Sequence, residues 1–232
     1  MTLTKALPIA LAGLLLGAAP VSEGFRSLEV PGFLPAVLFV PPGTAPRPLV
    51  VAAHGAGGSP EWDCEYWRRL TGGTRFLLCL RGKSMGASGG FYYPNEHALE
   101  AELVAAEKAL RAAEPRVAAA DGLYAGFSQG ASMGSTMIGK HGTSFPTLVL
   151  QEGFQLWNIA RARTFAENGG RRVLLVCGTE QCQRIATETT RWLKRGGIDS
   201  RLEYARGAGH TPLGEVLERT QAALPWLLQN AP

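Results

Sequence analysis

The chain has 232 residues, of which 46% are hydrophobic, 8% aromatic and 18% charged. This length is enough for one well-buried domain and too short for two large ones. The 23 basic and 19 acidic side chains give a formal charge of +4, and the basic ones are scattered as pairs such as Arg68-Arg69 and Arg171-Arg172. Because no basic stripe forms, the composition argues against a nucleic-acid-binding protein.

The first twenty residues differ from the rest of the chain. One basic residue, Lys5, precedes an apolar run over residues 6–19 that ends in small side chains. The run is shorter than the ~20 residues that a helix needs to cross a bilayer, and its end suits a signal peptidase. The sequence predicts a signal peptide over residues 1–20 and one domain over 21–232, secreted or periplasmic, with no membrane span.

After this leader, short apolar runs bracketed by proline and glycine alternate with longer runs of helical composition. Such alternation is typical of an α/β protein with a largely parallel sheet. The apolar runs predict strands over residues 36–40, 49–53, 76–80, 123–125, 147–150, 173–177 and 202–205. The longer runs predict helices over residues 61–70, 96–113, 128–140, 159–167, 185–195 and 213–228. The glycine-rich segment 81–95 has no periodicity and is predicted to be a loop.

The pattern Gly-x-Ser-x-Gly occurs twice, over residues 86–90 and 126–130. The second copy follows the apolar run 123–125 and opens a helical run, which gives the strand, tight turn and helix of a nucleophile elbow. In such a turn the serine is strained, and the glycines remove β-carbons that would collide. The first copy lies within the predicted loop. Ser128 is therefore the candidate nucleophile.

Three motifs together resemble a known family. The run HGAGG, residues 54–58, follows a predicted strand and can direct backbone N–H groups toward an oxyanion. HGAGG, GFSQG and the late GAGH resemble the α/β-hydrolase family, and GFSQGA is similar to its carboxylesterase and acyl thioesterase branch, the dienelactone-hydrolase-like proteins. The resemblance covers residues 36–228. It implies the α/β-hydrolase fold, a mostly parallel central sheet with helices on both faces.

The resemblance also implies roles for individual residues. Ser128 would be the nucleophile, His210 the general base, and the backbone N–H groups of Ala56 and Gln129 the oxyanion donors. His210 follows the last predicted strand and fits the chain order of nucleophile, acid and base. No cofactor and no metal are implied.

The triad acid departs from the family pattern. The family usually places an aspartate after the strand that precedes the last, and here that strand ends in the sequence CGTE, residues 177–180. We assign Glu180 to this role, since a glutamate can orient an imidazolium as an aspartate does. Glu152, which follows the strand predicted over 147–150, is the alternative. Asp199, just before the last strand, fits poorly.

Four cysteines allow three pairings, and an exported chain can keep disulfides. Cys64 and Cys79 belong to one helix-to-strand unit, and Cys177 and Cys182 are close in sequence. These two local pairings are preferred. Zinc is disfavoured because the sequence has no Cys-x-x-Cys pair and no histidine at ligand spacing from the cysteines.

These features predict a secreted serine hydrolase that cleaves carboxylic esters through an acyl-enzyme on Ser128. The expected partners are small-molecule esters or the ends of ester polymers. A thioesterase or peptidase would use the same triad, and a protein of this fold that binds a ligand without turnover is an alternative from another class. Five aromatic residues could line the pocket or pack in the core: Phe91, Tyr92, Tyr93, Phe154 and Trp157.

Overall fold

A computed structural model describes residues 24–153 and 157–229, so the predicted signal peptide lies outside the described residues. The strands are β1 (Gly24–Leu28), β2 (Ala36–Val40), β3 (Leu49–Ala53), β4 (Phe76–Cys79), β5 (Lys83–Ser84), β6 (Phe91–Tyr92), β7 (Leu123–Phe127), β8 (Thr147–Gln151), β9 (Arg172–Cys177) and β10 (Asp199–Tyr204). The α-helices are α1 (Pro60–Leu70), α2 (Glu96–Ala113), α3 (Gln129–Met137), α4 (Ile159–Glu167), α5 (Glu180–Arg195) and α6 (Glu215–Leu227).

Eight of these strands form one sheet in the order β1-β2-β4-β3-β7-β8-β9-β10. β2 runs antiparallel to both of its neighbours, β1 and β4. The other neighbouring strands of the sheet pair in parallel. The predicted mostly parallel sheet is confirmed, and the carboxyl ends of β3, β7, β8 and β9 meet at one edge.

β2, β3 and β4 are apolar and buried along their whole length because both faces of the sheet are covered there. In β4, Phe76 and Leu78 point into one core, whereas Leu77 and Cys79 point into the other. Buried residues of α2, α3, α4 and α5 pack in the first core, and those of α1 and α6 in the second. Helices therefore lie on both faces, as predicted.

The structure differs from the sequence prediction at four elements in particular: β1, β5, β6 and α5. β1 is an additional strand, in which the first four residues alternate between half-buried and exposed, so it lacks a continuous apolar run. β5 and β6 form a two-stranded ribbon inside the predicted loop. α5 begins at Glu180 and not at residue 185, because the Thr179 side chain accepts a hydrogen bond from the Cys182 N–H and caps the helix. No helix within the described ranges is long and apolar enough to cross a membrane.

Both predicted disulfides are present in the structure. Cys64 and Cys79 join α1 to β4 within the second core. Cys177 and Cys182 join the end of β9 to the first turn of α5. The second disulfide therefore closes the turn at which the chain leaves the sheet edge.

Candidate active site

Ser128 occupies a tight turn between β7 and α3. Its φ of 51° and ψ of −106° are uncommon for a residue with a side chain. A β-carbon at Gly126 would lie 2.6 Å from the backbone nitrogen of Ala131, and one at Gly130 would lie 2.0 Å from the carbonyl oxygen of Ala53. Only glycines fit at these two positions, so the sequence pattern produces the strained turn expected of a nucleophile elbow.

His210 lies in the irregular segment between β10 and α6 and contacts both Ser128 and Glu152. Its Nε2 is 2.8 Å from the Ser128 Oγ, and its Nδ1 is 3.1 Å from the Glu152 Oε2. With the proton on Nδ1, the ring donates to Glu152 and accepts from the Ser128 hydroxyl. The structure thus brings a serine, a histidine and a glutamate into one hydrogen-bonded chain.

The Glu152 carboxylate is fully buried and accepts four hydrogen bonds. Its Oε1 accepts from the N–H groups of Gly178 and Thr179, the latter at 3.0 Å. Its Oε2 accepts from the Thr179 hydroxyl at 2.9 Å and from His210. Glu152 has a positive φ of 52° directly after β8. These donors replace the water that a buried carboxylate loses, so the charge is held in a fixed position.

The structure contradicts the position predicted for Glu180, because the alternative residue, Glu152, lies beside His210. Glu180 is exposed and is the first residue of α5. Since Thr179 caps α5, the chain enters a helix directly after β9 and forms no loop that could carry Glu180 inward. A threonine followed by an acidic residue is a recognisable start of a helix. That signal points to Thr179, which the sequence analysis did not single out.

The loop over residues 54–58 passes close to Ser128. A β-carbon added at Gly55 would lie 3.1 Å from the Ser128 Cβ. The loop is joined to the elbow by a hydrogen bond of 3.1 Å from the Gly130 N–H to the His54 carbonyl oxygen. The predicted oxyanion motif and the predicted nucleophile are therefore neighbours.

Two backbone donors beside Ser128 have no acceptor within the described part of the chain. Gln129 is the first residue of α3, where an N–H has no partner inside the helix. Neither its N–H nor that of Ala56 donates to a described protein atom. Both N–H groups therefore have no described protein acceptor, as the predicted role of oxyanion donor requires.

His54 belongs to the support of this loop. Its Nδ1 is 2.7 Å from the Gly55 carbonyl oxygen and its Nε2 is 2.9 Å from that of Arg81. The ring stacks on Tyr93 with 4.9 Å between centroids. Burial lowers the pKa of His54, so the neutral ring is favoured and donates to one of the two carbonyl groups. The imidazole holds the loop in place.

The glycine-rich segment 81–95 also supports the loop. Phe91 in β6 accepts from the Gly57 N–H at 2.8 Å and donates to the Gly58 carbonyl oxygen at 2.9 Å. The Tyr93 N–H donates to the Gln129 side-chain oxygen at 2.8 Å. The segment is therefore attached to both the oxyanion motif and the elbow.

The five aromatic residues that follow strand ends divide into two groups. Tyr93 and Trp157 are 1% exposed and pack in the core. Phe91 and Tyr92 are half-buried. Phe154 lies outside the described residues. Among the four that the structure describes, Phe91 and Tyr92 therefore keep the surface exposure that a pocket residue needs.

One group of potential metal ligands occurs among the described residues. The Glu152 carboxylate and the Sγ atoms of Cys177 and Cys182 lie within 4.8 Å of one another. The two sulfur atoms are bonded to each other, and a disulfide provides no thiolate for a metal. This donor set does not suit a metal site while the disulfide is intact.

No protein-family model and no curated protein matches the sequence. Solved structures do resemble it. A carboxylesterase from Mesorhizobium loti is 18% identical, with 88% of this chain and 99% of that chain covered and a TM-score of 0.65. A putative dienelactone hydrolase from Klebsiella pneumoniae subsp. pneumoniae is 17% identical, with 89% and 98% covered and a TM-score of 0.64. Esterase PE8 is 20% identical, with 88% and 100% covered and a TM-score of 0.61. Together with the sheet order, these likenesses show that the chain has the α/β-hydrolase fold.

Proposed function

We propose that this protein is a serine hydrolase that cleaves carboxylic esters through an acyl-enzyme on Ser128. The observation that carries the proposal is the chain of hydrogen bonds from Ser128 through His210 to Glu152. A serine hydroxyl is a weak nucleophile until an adjacent base removes its proton. The 2.8 Å distance between Oγ and Nε2 allows His210 to be that base.

In the first half of the reaction, His210 Nε2 takes the Ser128 proton as Oγ attacks the ester carbonyl carbon. The carbonyl oxygen becomes an oxyanion and accepts hydrogen bonds from the Ala56 and Gln129 N–H groups. His210 then gives its proton to the leaving alcohol as the carbon–oxygen bond of the ester breaks. The acyl group stays bound to Ser128.

In the second half, His210 removes a proton from a water molecule that attacks the acyl carbon. The new oxyanion uses the same two N–H donors. When it collapses, the Ser128 Oγ leaves with the proton held on His210, and the carboxylic acid is released. Glu152 accepts the hydrogen bond from the His210 Nδ1–H in both halves, which fixes the tautomer and stabilises the imidazolium.

Similarity to an esterase and a carboxylesterase supports carboxylic esters as the substrate class. We further propose export to the periplasm or the medium. The leader sequence supports this location, and so do the disulfides Cys64–Cys79 and Cys177–Cys182, which persist in oxidising compartments.

An active-site fluorophosphonate tests the proposal. We expect Ser128 to attack the phosphorus of the reagent and release fluoride. Hydrolysis of p-nitrophenyl esters should be lost at the same rate as Ser128 is modified. Peptide mass spectrometry identifies the modified serine, and a panel of p-nitrophenyl esters, thioesters and peptides ranks the substrates. Modification of another residue, or ester hydrolysis that survives complete modification, would overturn the acyl-enzyme. Preference for thioesters or peptides would change the substrate class and leave the nucleophile in place.

A further inference from the structure

The backbone of Gln151 is connected to two residues of the proposed triad, Ser128 and Glu152. It is the last residue of β8 and is 1% exposed. Its carbonyl oxygen accepts the Ser128 N–H at 2.9 Å. The next residue in the chain is Glu152. The backbone of Gln151 therefore sets the positions of the nucleophile and the acid relative to each other.

The side chain of Gln151 lies on the face of the sheet covered by α1 and α6. Its Nε2 donates to the Tyr66 hydroxyl at 2.9 Å and to the Thr220 hydroxyl at 2.8 Å. Each hydroxyl then donates its own proton to a carbonyl oxygen, Tyr66 to Pro212 at 3.1 Å and Thr220 to Val216 at 2.7 Å. An amide nitrogen donates and does not accept, so the direction of both chains is fixed.

Pro212 lies two residues after His210 in the segment that joins β10 to α6. The side chain of His210 is 42% exposed, and hydrogen bonds hold the segment on both sides of it. On one side of His210, the Gly209 N–H donates to the Gly178 carbonyl oxygen at 3.3 Å. On the other side, Tyr66 binds Pro212. The segment is thus hydrogen-bonded to the rest of the protein on both sides of His210, and the bond to Pro212 leads back to Gln151 through Tyr66.

From this arrangement we propose that Tyr66, oriented by Gln151, is a positioning residue that fixes the His210 segment relative to Ser128. The inference rests on the proposed triad. Burial raises the pKa of Tyr66 to about 12, so its hydroxyl keeps the proton that it donates to Pro212 over the working pH range. Rigid support of this kind keeps reacting groups within a few tenths of an ångström of a productive geometry.

The ring of Tyr66 is held independently of its hydroxyl. It stacks on Trp62 with centroids 5.2 Å apart and meets Trp67 edge-on at 5.5 Å. Tyr66→Phe therefore removes the bond to Pro212 and preserves the aromatic packing. Thr220→Val is the comparator. It also removes one hydroxyl that accepts from the Gln151 amide, but it keeps the hydrogen bond from Tyr66 to Pro212. Tyr204→Phe is the control, since that buried hydroxyl has no partner among the described residues.

We expect Tyr66→Phe to lower kcat for a p-nitrophenyl ester about tenfold with KM within about twofold, the pattern of a lost contribution to the transition state. Its rate of fluorophosphonate modification should fall by a similar factor. We expect Thr220→Val to lower Tm about as much as Tyr66→Phe does. Its decrease in kcat should be at least about threefold smaller than that of Tyr66→Phe. Tyr204→Phe should match the wild type. A Tyr66→Phe enzyme with unchanged kcat, or equal kcat losses in Tyr66→Phe and Thr220→Val, would overturn the inference.

Hydrogen exchange separates this inference from the proposed function. We expect the backbone N–H groups of Thr211 and Leu213 to exchange at least about fivefold faster in Tyr66→Phe than in Thr220→Val or Tyr204→Phe. This measurement needs no turnover, so it applies even if the wild type cleaves no ester. Equal exchange in all three variants would show that Tyr66 does not hold the segment.

Discussion

The two Gly-x-Ser-x-Gly segments have the same pattern and entirely different surroundings. In residues 126–130 the serine has a positive φ between a buried strand and a helix, and its hydroxyl meets His210. In residues 86–90 the serine is exposed in a short 3-10 turn. Three glycines there, at 86, 89 and 90, take the positive φ values. The pattern thus indicates a nucleophile only where the chain passes from strand to helix.

The glycines of the two segments also serve different contacts. Gly130 allows α3 to approach β3, because a β-carbon there would lie 2.0 Å from the Ala53 carbonyl oxygen. Gly90 allows β6 to approach the oxyanion motif, because its β-carbon would lie 2.3 Å from the Gly57 carbonyl oxygen. The loop copy is therefore a support for the oxyanion motif. In both segments, a glycine allows two backbone segments to approach each other closely.

The largest expected effect separates the two serines. Ser128→Ala removes the attacking oxygen and should lower kcat for a p-nitrophenyl ester by about 10⁴-fold or more. Ser88→Ala removes an exposed hydroxyl and should leave kcat within about twofold. Steady-state kinetics on both variants, with circular dichroism to verify folding, measures the difference. Substantial turnover by Ser128→Ala would refute the nucleophile assignment.

The two glutamates repeat the comparison between a buried and an exposed copy of one residue type. Glu152→Gln should lower kcat about 10³- to 10⁴-fold, because the neutral amide favours the wrong imidazole tautomer and no longer stabilises the imidazolium. Glu180→Gln should change kcat less than about twofold, since Glu180 is exposed at the start of α5. Measuring kcat of both variants with the same p-nitrophenyl ester shows which glutamate is the acid. A crippled Glu180→Gln together with an active Glu152→Gln would reverse the assignment made from the structure.

The positions of Ser128 and His210 that the sequence predicts depend on local pattern. The elbow at Ser128 follows from glycine spacing and the change from strand to helix, and His210 lies where its chain order predicts. The acid differs because its position depends on contacts distant in sequence: Glu152 is held by Gly178 and Thr179, which belong to the next strand end. The local sequence predicts where the strands end, but it does not predict the hydrogen bonds between residues at different strand ends.

Elements without an apolar run were also missed. β1 lies at the sheet edge, where Phe25 is 48% exposed. Its sequence, GFRSL, mixes polar and apolar residues and resembles that of a loop. β5 and β6 have two residues each and are defined by pairing with each other. The Gln151 and Tyr66 contacts could not be predicted either, because 85 residues separate the two side chains.

The third prediction compares one glycine from each segment. Gly130→Ala should lower the free energy of unfolding by about 3 kcal/mol or more, because the new β-carbon meets the backbone of β3. Gly86→Ala meets no atom within 4 Å and should lower it by about 1 kcal/mol, the cost of a positive φ for alanine. Urea unfolding measures both. Equal losses would mean that the two segments do not differ in packing.

The smallest expected effect applies the same contrast of buried and exposed groups to two acidic residues of α1. Asp63 is 5% exposed, and burial raises its pKa from 3.8 to about 7. Between these two values the folded protein binds a proton that the unfolded chain has lost, so this group reduces stability as pH rises from about 4 to 7. The reduction is complete above pH 7, with an upper limit of about 4 kcal/mol.

Asp63→Asn removes this titration and keeps the shape of the side chain. Because water entry and relaxation lower the cost of a buried charge, we expect the variant to be more stable than the wild type by about 2 kcal/mol at pH 8 and nearly equal to it at pH 4. Glu61→Gln is the exposed control: its carboxylate is 57% exposed and pairs with Arg81, so its difference from the wild type should stay within about 0.5 kcal/mol. Urea unfolding at several pH values gives the two difference curves. A stability gain of Asp63→Asn that is the same at pH 4 and pH 8 would show that the buried carboxyl does not titrate in this range.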